Sequence, residues 1–498
     1  MRLSGIQSTR LSHHVPRRLP IPSQDADVIP NSLRKTLEAH RSSNRARLIR
    51  KVYPRTQAAG LFRPWIPPEN RAGYRPPEPS SHTAEHSEPS KKPIGKRRRR
   101  QSSAKSLSPG DSIIAIRGAD HHIPEQSPWA DLLHSSQGTG DASTHLDAEI
   151  RALHHYLVPS SREQSRITQL TEEINSLLAY VAPHTPRTIG SHYTGLALAH
   201  SDLNFLFPFE DILRPRDSPR GPSATRPQIR DAHTNLLRDV ESTLKNTIAF
   251  SDQLKWIGKG KTALEACHKP TGLILRFHCG ESVPALAEFI KDSSLEYPAL
   301  KPLYTSARTL LESRGLFGPT QGNISSEALA ILVIAFLKSS HGRFPGSYRL
   351  GDQFMDLLRF YATDINLTSA GVAVHPLSFF GPDVMRASMD GDDTESAARR
   401  GQKSLLGAKR NAALKGNLPA DRRLCIQDPT HFMNDLGRGC TRTPELQSAL
   451  KIAHEQLRQA CDVWEGGENR TSILKTALRA NFDGLEKVRE RVLASAWI

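Results

Sequence analysis

The chain has 498 residues, of which 37% are hydrophobic and 35 are proline, and its formal net charge is +16. This length allows two or three domains. Five cysteines are too few for a disulfide framework and favour a reducing compartment, and no apolar run approaches the ~20 residues of a spanning helix, so we expect a soluble protein without a membrane partner.

Most of the positive charge lies in the first 140 residues, which contain 24 Lys and Arg against 11 Asp and Glu. Pro, Ser, Arg and His alternate there with little periodicity, and such a composition buries too little apolar surface to offset the entropy lost on ordering. We therefore predict a disordered basic arm over residues 1–140. Because a cationic chain binds polyanions by releasing counterions, the arm is expected to bind RNA.

Two targeting signals compete within this arm. Residues 1–24 contain Arg and Ser but no acidic residue, which is typical of a mitochondrial transit peptide. A run of basic residues within 91–100 is typical of a nuclear localisation signal. The mitochondrial interpretation is slightly favoured, and the nuclear one stays open.

Regular structure is predicted from about residue 141. Apolar residues recur at helical spacing over 146–157, and Ser160 and Glu163 form a capping pattern at the start of a second helix. Strand-like runs at 202–209 and 273–279 enclose a helix near 231–248. We therefore predict a mixed sheet with helices over residues 141–295.

The second half of the chain is predicted to be helical over residues 296–498. The segment 386–423 is charged and rich in helix breakers, so it is expected to be a flexible insertion. The predicted helices are 302–314, 325–339, 350–361, 444–464 and 472–497.

Four short motifs stand in a fixed order. A Gly190-Ser191 turn precedes Thr194-Gly195-Leu196, and Ser201-Asp202-Leu203-Asn204 leads into an apolar run. Much later, Asp428-Pro429 precedes Asn434-Asp435-Leu436-Gly437-Arg438. In this order and spacing, the chain resembles the noncanonical poly(A) polymerases and terminal uridylyltransferases, a branch of the polymerase-β-like nucleotidyltransferases, over residues 145–465.

This resemblance implies an α+β fold, in which a nucleotidyltransferase palm over 141–295 is joined to an α-helical poly(A)-polymerase-associated domain over 296–498. It also implies a nucleotidyl transfer reaction that uses two divalent ions held by three carboxylates. At the corresponding positions this chain has Asp202, Asn204 and Arg276, so two carboxylates are replaced.

A guanidinium at a carboxylate position opposes metal binding, because two positive unit charges 4 Å apart repel each other by about 4 kcal/mol at an effective dielectric of 20. A divalent ion carries two such charges. We predict that Arg276 fills the space of the metal and pairs with Asp202. The alternative is a register shift of one residue, which would point Arg276 outward.

The nucleotide-binding positions implied by the resemblance are also partly replaced. Two lysines of the family, one helical turn apart, correspond to Arg308 and Glu312, and a base-stacking tyrosine corresponds to Glu327. The positions carried over for nucleotide binding are Gly190, Ser191, Arg308, Glu312, Ser326 and Glu327. No cofactor is expected, although an active protein would bind Mg²⁺ or Mn²⁺ through Asp202.

The sequence therefore predicts a nucleotidyltransferase-fold protein with impaired catalysis, acting in RNA metabolism as an RNA-binding or protein-binding module. Two alternatives remain: an active RNA 3′-adenylyl- or uridylyltransferase in which Glu210, Asp211 or Glu281 supplies a carboxylate, and a structural subunit of a mitochondrial ribonucleoprotein. The pairs Cys267-His268 and His278-Cys279 are better explained by packing than by zinc.

Overall fold

The structure is a computed structural model that describes residues 113–116, 125–133, 141–209, 227–250, 254–258, 262–280, 284–344, 349–383, 397–464 and 472–494. Most of the predicted basic arm, both targeting signals and the residues Glu210, Asp211 and Glu281 lie outside these ranges. Within them, no helix is long and apolar enough to cross a bilayer.

The described part of residues 113–280 supplies the sheet and its first helices. In chain order these are β1 (Ala115–Ile116), α1 (Ala142–Leu157), α2 (Ser161–Leu178), β2 (Arg187–Ile189), α3 (Ser191–Thr194), β3 (Leu203–Pro208), α4 (Pro227–Lys245), β4 (Lys255–Ile257), β5 (Ala263–Cys267) and β6 (Ile274–Gly280). The capping prediction is confirmed: the Ser160 side chain accepts from the Glu163 amide, and the Glu163 side chain accepts from the Ser160 amide.

The later residues are mainly helical. They form α5 (Ala285–Glu296), α6 (Leu300–Ser313), α7 (Ser326–Ser339), α8 (Leu350–Arg359), β7 (Gly371–Val374), β8 (Leu377–Phe380), α9 (Ala397–Leu414), α10 (Leu418–Asp421), α11 (Thr443–Asp462), α12 (Ile473–Leu478), β9 (Ala480–Asn481) and α13 (Asp483–Ala494). Together with the five-stranded mixed sheet, these elements confirm the predicted α+β class.

The five-stranded sheet has the order β2-β3-β6-β5-β4, and only the β3–β6 pair is parallel. Alternate residues such as Leu203, Phe205 and Phe277 are buried on one face, where α2, α4 and α13 cover them. The residues between them point to the opposite face. The polar motif residues of these strands lie on that opposite face.

The helical core divides the chain differently from the predicted boundary between residues 295 and 296. Helix α1 packs against α6, α8, α11 and α12, whereas the C-terminal α13 packs against α2 of the sheet layer. Each terminal helix thus crosses to the other half of the molecule. The sequence did not indicate these contacts, because periodicity identifies an apolar face and not its partner.

Two further predictions are corrected. Residues 113–116 and 125–133, assigned to a disordered arm, are ordered: Ile114 and Trp129 are buried, and β1 pairs with β9. Within the predicted flexible insertion, α9 is a docked helix that buries residues such as Leu405 and Leu406. Each segment contains a short cluster of apolar residues that is buried, and the average composition of the segment does not reveal this cluster.

Candidate functional site

The Gly190-Ser191 turn joins β2 to α3 and lies directly over β3. Gly190 has φ +72°, and a Cβ added there would lie 3.0 Å from the Asn204 Nδ2 atom. Only glycine satisfies both the left-handed backbone and this close approach. The turn motif therefore places its backbone against the second of the carried-over carboxylate positions.

The sheet register brings the metal positions together on one face. Asn204 on β3 stands opposite Arg276 on β6, and Arg276 stands opposite Glu265 on β5. Because paired residues in neighbouring strands point to the same face, the three side chains form one row. The alternative register, with Arg276 pointing outward, is excluded by this pairing.

Arg276 occupies the centre of this row and bonds to two carboxylates. Its Nη1 donates to Asp202 Oδ2 at 2.5 Å, and its Nε donates to Glu265 Oε2 at 2.9 Å. The predicted Arg276–Asp202 pair is confirmed. The guanidinium does not bind Asp202 in bidentate fashion, however, because it bridges two strands.

The charge state follows from burial and from this pairing. Burial alone would lower the pKa of Arg276, but Asp202 and Glu265 raise it above its ordinary value. Burial raises the pKa of Asp202, and the adjacent Arg276 offsets part of that rise. The guanidinium therefore stays charged and neutralises part of the carboxylate charge on this face.

Glu265 is the site residue that the motifs did not identify. The hairpin register between β5 and β6 was the signal that could have revealed it, because it aligns Glu265 with Arg276. With Glu265 included, two carboxylates and one guanidinium face each other, together with the Asn204 amide. One carboxylate oxygen of Asp202 and one of Glu265 are bonded to Arg276.

This set of donors does not fit a two-metal site. Two divalent ions need several anionic oxygens around them, whereas a cation already stands between the carboxylates here. Among the described residues, no group of three or more His, Cys, Asp or Glu side chains is arranged to hold a metal ion.

The carried-over phosphate positions are bonded to each other inside the protein. On α6, Arg308 Nε donates to Glu312 Oε2 at 3.3 Å, and Arg308 Nη1 donates to Ser201 Oγ at 3.0 Å. The His200 ring nitrogen Nε2 lies 2.7 Å from Glu312 Oε1. Arg308 is only 6% exposed, so its guanidinium serves this network.

The electrostatics of the network oppose binding of a triphosphate. Burial raises the pKa of Glu312, but His200 and Arg308 outweigh it and lower that pKa to about 2. Glu312 is therefore an anion at neutral pH, next to the cation that a phosphate would need. Its carboxylate occupies the place of a second phosphate-binding lysine.

Three other positions that the resemblance implies for nucleotide binding, Ser191, Ser326 and Glu327, contribute less to these two hydrogen-bond networks. Ser326 Oγ lies 2.7 Å from the buried Tyr304 hydroxyl, while Glu327 is exposed in the first turn of α7. The carbonyl of Ser191 accepts from Leu196, so this residue closes the turn. The structure thus brings Gly190, Asp202, Asn204 and Arg276 together, and it places Arg308 and Glu312 in an adjacent network.

The late motif has a structural role in the described fold. Asp428 accepts from the amides of Thr430 and His431 and from the Asn434 side chain, while Asp435 accepts from the amides of Ile426 and Gly437. These bonds shape the loop beside β7. In the Cys267-His268 pair, the His268 Nδ1 atom lies 2.8 Å from the Thr271 hydroxyl.

Comparison with known proteins identifies sequence relatives and a structural likeness. The chain is 26% identical over 354 residues to the poly(A) RNA polymerase cid14 of Schizosaccharomyces pombe, which covers 68% of this chain and 45% of that protein. The chain thus spans less than half the length of this relative. No model of a known protein family matches the chain.

Among solved structures, the polymerase core of TRAMP, an RNA surveillance complex, superposes with a TM-score of 0.54 at 18% identity. The match covers 71% of this chain and 99% of that one. At this identity the likeness concerns the fold, and it extends over both the sheet and the helical half.

Proposed function

We propose that the chain belongs to the noncanonical poly(A) polymerase and terminal uridylyltransferase family of nucleotidyltransferases, and that it acts in RNA metabolism as an RNA-associated module that has lost nucleotidyl transfer. The observation that carries this proposal is Arg276, which stands between Asp202 and Glu265. A cation at that point replaces the ions that the family's reaction needs.

The proposal has two independent supports. On the sheet, the Arg276 bridge uses one oxygen of each carboxylate. On α6, the Arg308–Glu312 pair turns a phosphate-binding position into an internal ion pair. Restoring catalysis would require changes at both places, because metal ions and the triphosphate must be held together.

We propose that RNA binding is retained through the basic residues 1–140, whose charge does not depend on the cleft. Association with a protein or ribonucleoprotein partner is part of the same proposal, since a known relative of this fold is the core of a complex. A compartment in mitochondria, with the nucleus as the alternative, is likewise an expectation from residues 1–24 and 91–100.

The test is incorporation of labelled ATP or UTP into the 3′ end of an RNA oligonucleotide with Mg²⁺ or Mn²⁺. We expect no extension above that of an Asp202→Ala variant. A variant that gains metal binding sharpens the test. The double substitution Asn204→Asp and Arg276→Asp places four carboxylates on this face. Electron paramagnetic resonance should detect Mn²⁺ binding to this variant and not to the unchanged protein.

One observation favours a second candidate, an active transferase. Glu265 is a carboxylate on the metal-facing row, so it is a substitute ligand that could act with Asp202 if Arg276 moved away. RNA extension by the unchanged protein that is lost in both Asp202→Asn and Glu265→Gln variants would establish this candidate. That result would overturn the proposed loss of catalysis.

A further inference from the structure

A cavity of about 350 Å³ lies beside strand β2, at one edge of the five-stranded sheet. It is lined by His184, Thr185, Pro186, Arg187 and Pro208, and these lining residues include neither Asp nor Glu. Pockets that hold small organic ligands have volumes of about 300–1,000 Å³. The cavity therefore has room for one small organic group and not merely for a simple ion.

The register of the sheet places this cavity on the side of the cleft. Arg187 on β2 stands opposite Leu206 on β3, and Ile189 stands opposite Asn204. Paired residues share a face of the sheet, as do alternate residues along one strand, so Arg187 and Pro208 lie on the face that carries Asn204. Pro208 is four residues beyond Asn204, which corresponds to about 13 Å along the strand. The cavity thus shares the cleft face but is separate from the carried-over metal positions.

The polar side chains of the cavity are available to a ligand. His184, Thr185 and Arg187 are exposed, and none of the three side chains has a hydrogen-bond or ion-pair partner among the residues that the structure describes. Arg276 and Arg308, by contrast, are bonded to carboxylates. A guanidinium without a carboxylate partner can present its planar set of donors to a phosphate group.

The remaining walls of the cavity are apolar and stiff. Pro186 is buried and Pro208 is half-buried. A proline ring fixes its own φ and restricts the residue before it, so Pro186 also limits the backbone of Thr185. Histidine rings and guanidinium planes are groups on which unpaired nucleobases stack. The cavity therefore combines a phosphate-binding group with surfaces for a planar base.

We propose that this cavity binds a nucleoside monophosphate unit. Arg187 and Thr185 contact the phosphate, His184 stacks on the base, and the proline rings pack against the apolar edges of the nucleoside. The unit is either one nucleotide of an RNA strand or a free nucleotide. This inference goes beyond the proposed function, because it assigns a separate binding site and does not depend on the loss of catalysis.

Carbethoxylation of His184 by diethyl pyrocarbonate, measured by mass spectrometry, reports on this cavity alone. The basic residues 1–140 do not contribute to that signal, and the exposed His341 serves as the reference histidine. The ligands are AMP, adenosine, inorganic phosphate and single-stranded oligo(A). The proteins are the unchanged full chain, Arg187→Gln and a matched control, Arg162→Gln, which removes an exposed charge from α2. Thermal unfolding checks that both variants fold.

We expect AMP to slow the modification of His184 several-fold in the unchanged chain and in Arg162→Gln, and to leave His341 unaffected. Arg187→Gln should raise the AMP concentration for half-maximal protection about fivefold, the upper value for an exposed ion pair. Adenosine and inorganic phosphate should each protect less than AMP, because each fills only part of the cavity. Protection by oligo(A) at a lower nucleotide concentration than AMP would identify RNA as the source of the unit, and the reverse order would identify a free nucleotide.

Three results would overturn the inference: equal protection by AMP in Arg187→Gln and the unchanged chain, protection by inorganic phosphate or a phosphoserine peptide that equals protection by AMP, and a His184 that neither AMP nor oligo(A) protects. If oligo(A) still binds the chain in the last case, the proposed RNA association stands without this site. A chain that binds no RNA but in which AMP protects His184 contradicts the proposed function and supports this inference.

Discussion

At Arg276, one side chain joins strands β3 and β5 through carboxylates that the fold brings to the same face. Removing it would leave Asp202 and Glu265 facing each other without a partner. Breaking a fully buried ion pair costs 3–5 kcal/mol, but the Asp202 side chain is 30% exposed, which reduces the effect.

We therefore expect Arg276→Ala to lower the free energy of unfolding by about 2 kcal/mol at pH 7. The loss should shrink as the pH falls, because burial raises the pKa of Asp202 and its protonated carboxyl no longer repels Glu265. Urea unfolding at pH 7 and pH 4.5 measures both effects. Arg238→Ala, which removes an exposed side chain bonded only to Asn235 among the contacts seen, should change stability by less than about 0.5 kcal/mol.

The Arg276–Asp202 pair was predictable because the motif spacing fixed which strand residues point to the cleft, and alternation along β6 did the rest. Glu265 was not predicted, because its role depends on hairpin register across β5 and β6. The His200–Glu312 contact joins residues 112 positions apart, and no local pattern indicates such a contact.

The Glu149 side chain links helix α1 to the first turn of helix α12. Its Oε2 accepts from the Leu474 amide at 2.8 Å, and burial raises its pKa to about 7. The folded protein therefore keeps a proton that the unfolded chain releases above pH 4.5. Between about pH 4.5 and 7, the free energy of unfolding contributed by this group falls as the pH rises.

We expect Glu149→Gln to remove that pH dependence while keeping an oxygen that accepts from Leu474. The variant should match the unchanged protein near pH 4.5 and exceed it by about 3 kcal/mol at pH 8, since each pKa unit corresponds to 1.36 kcal/mol. Urea unfolding across this range measures the difference. Glu455→Gln, at an exposed position of α11, is the control, and a parallel trend in both variants would contradict the assignment to Glu149.

The elements themselves were predicted with uneven success. Helical periodicity or a capping pattern identified α1 and α2, high apolar content identified α7, and their apolar residues are buried as expected. Helix α9 was missed because Gly401 and Gly407 and its many charges suggested a loop. Its buried Ala398, Leu405 and Leu406, spaced seven and eight apart, were the signal that indicated a helix.

Most of the net positive charge and the hydrophobic core lie in different parts of the chain. Residues 1–112 contain 23 Lys and Arg against 8 Asp and Glu, which accounts for nearly all of the net charge of +16. The short described segments that follow contribute to the core instead, through Ile114 and Trp129. A cut at residue 112 therefore separates the two roles, whereas a cut at residue 140 removes both.

This separation predicts different results for two deletions. Removal of residues 1–112 should leave the unfolding free energy within about 1 kcal/mol of the full chain and weaken RNA binding with a much smaller salt dependence. Removal of residues 1–140 should weaken RNA binding similarly but also cost about 3 kcal/mol or more, because the Trp129 side chain leaves a buried site. Urea unfolding and oligo(A) titration of both proteins distinguish the roles: equal stability of the two deletions would show that the 113–133 segments add nothing to the core, and RNA affinity unchanged by either would exclude the arm as an RNA-binding element.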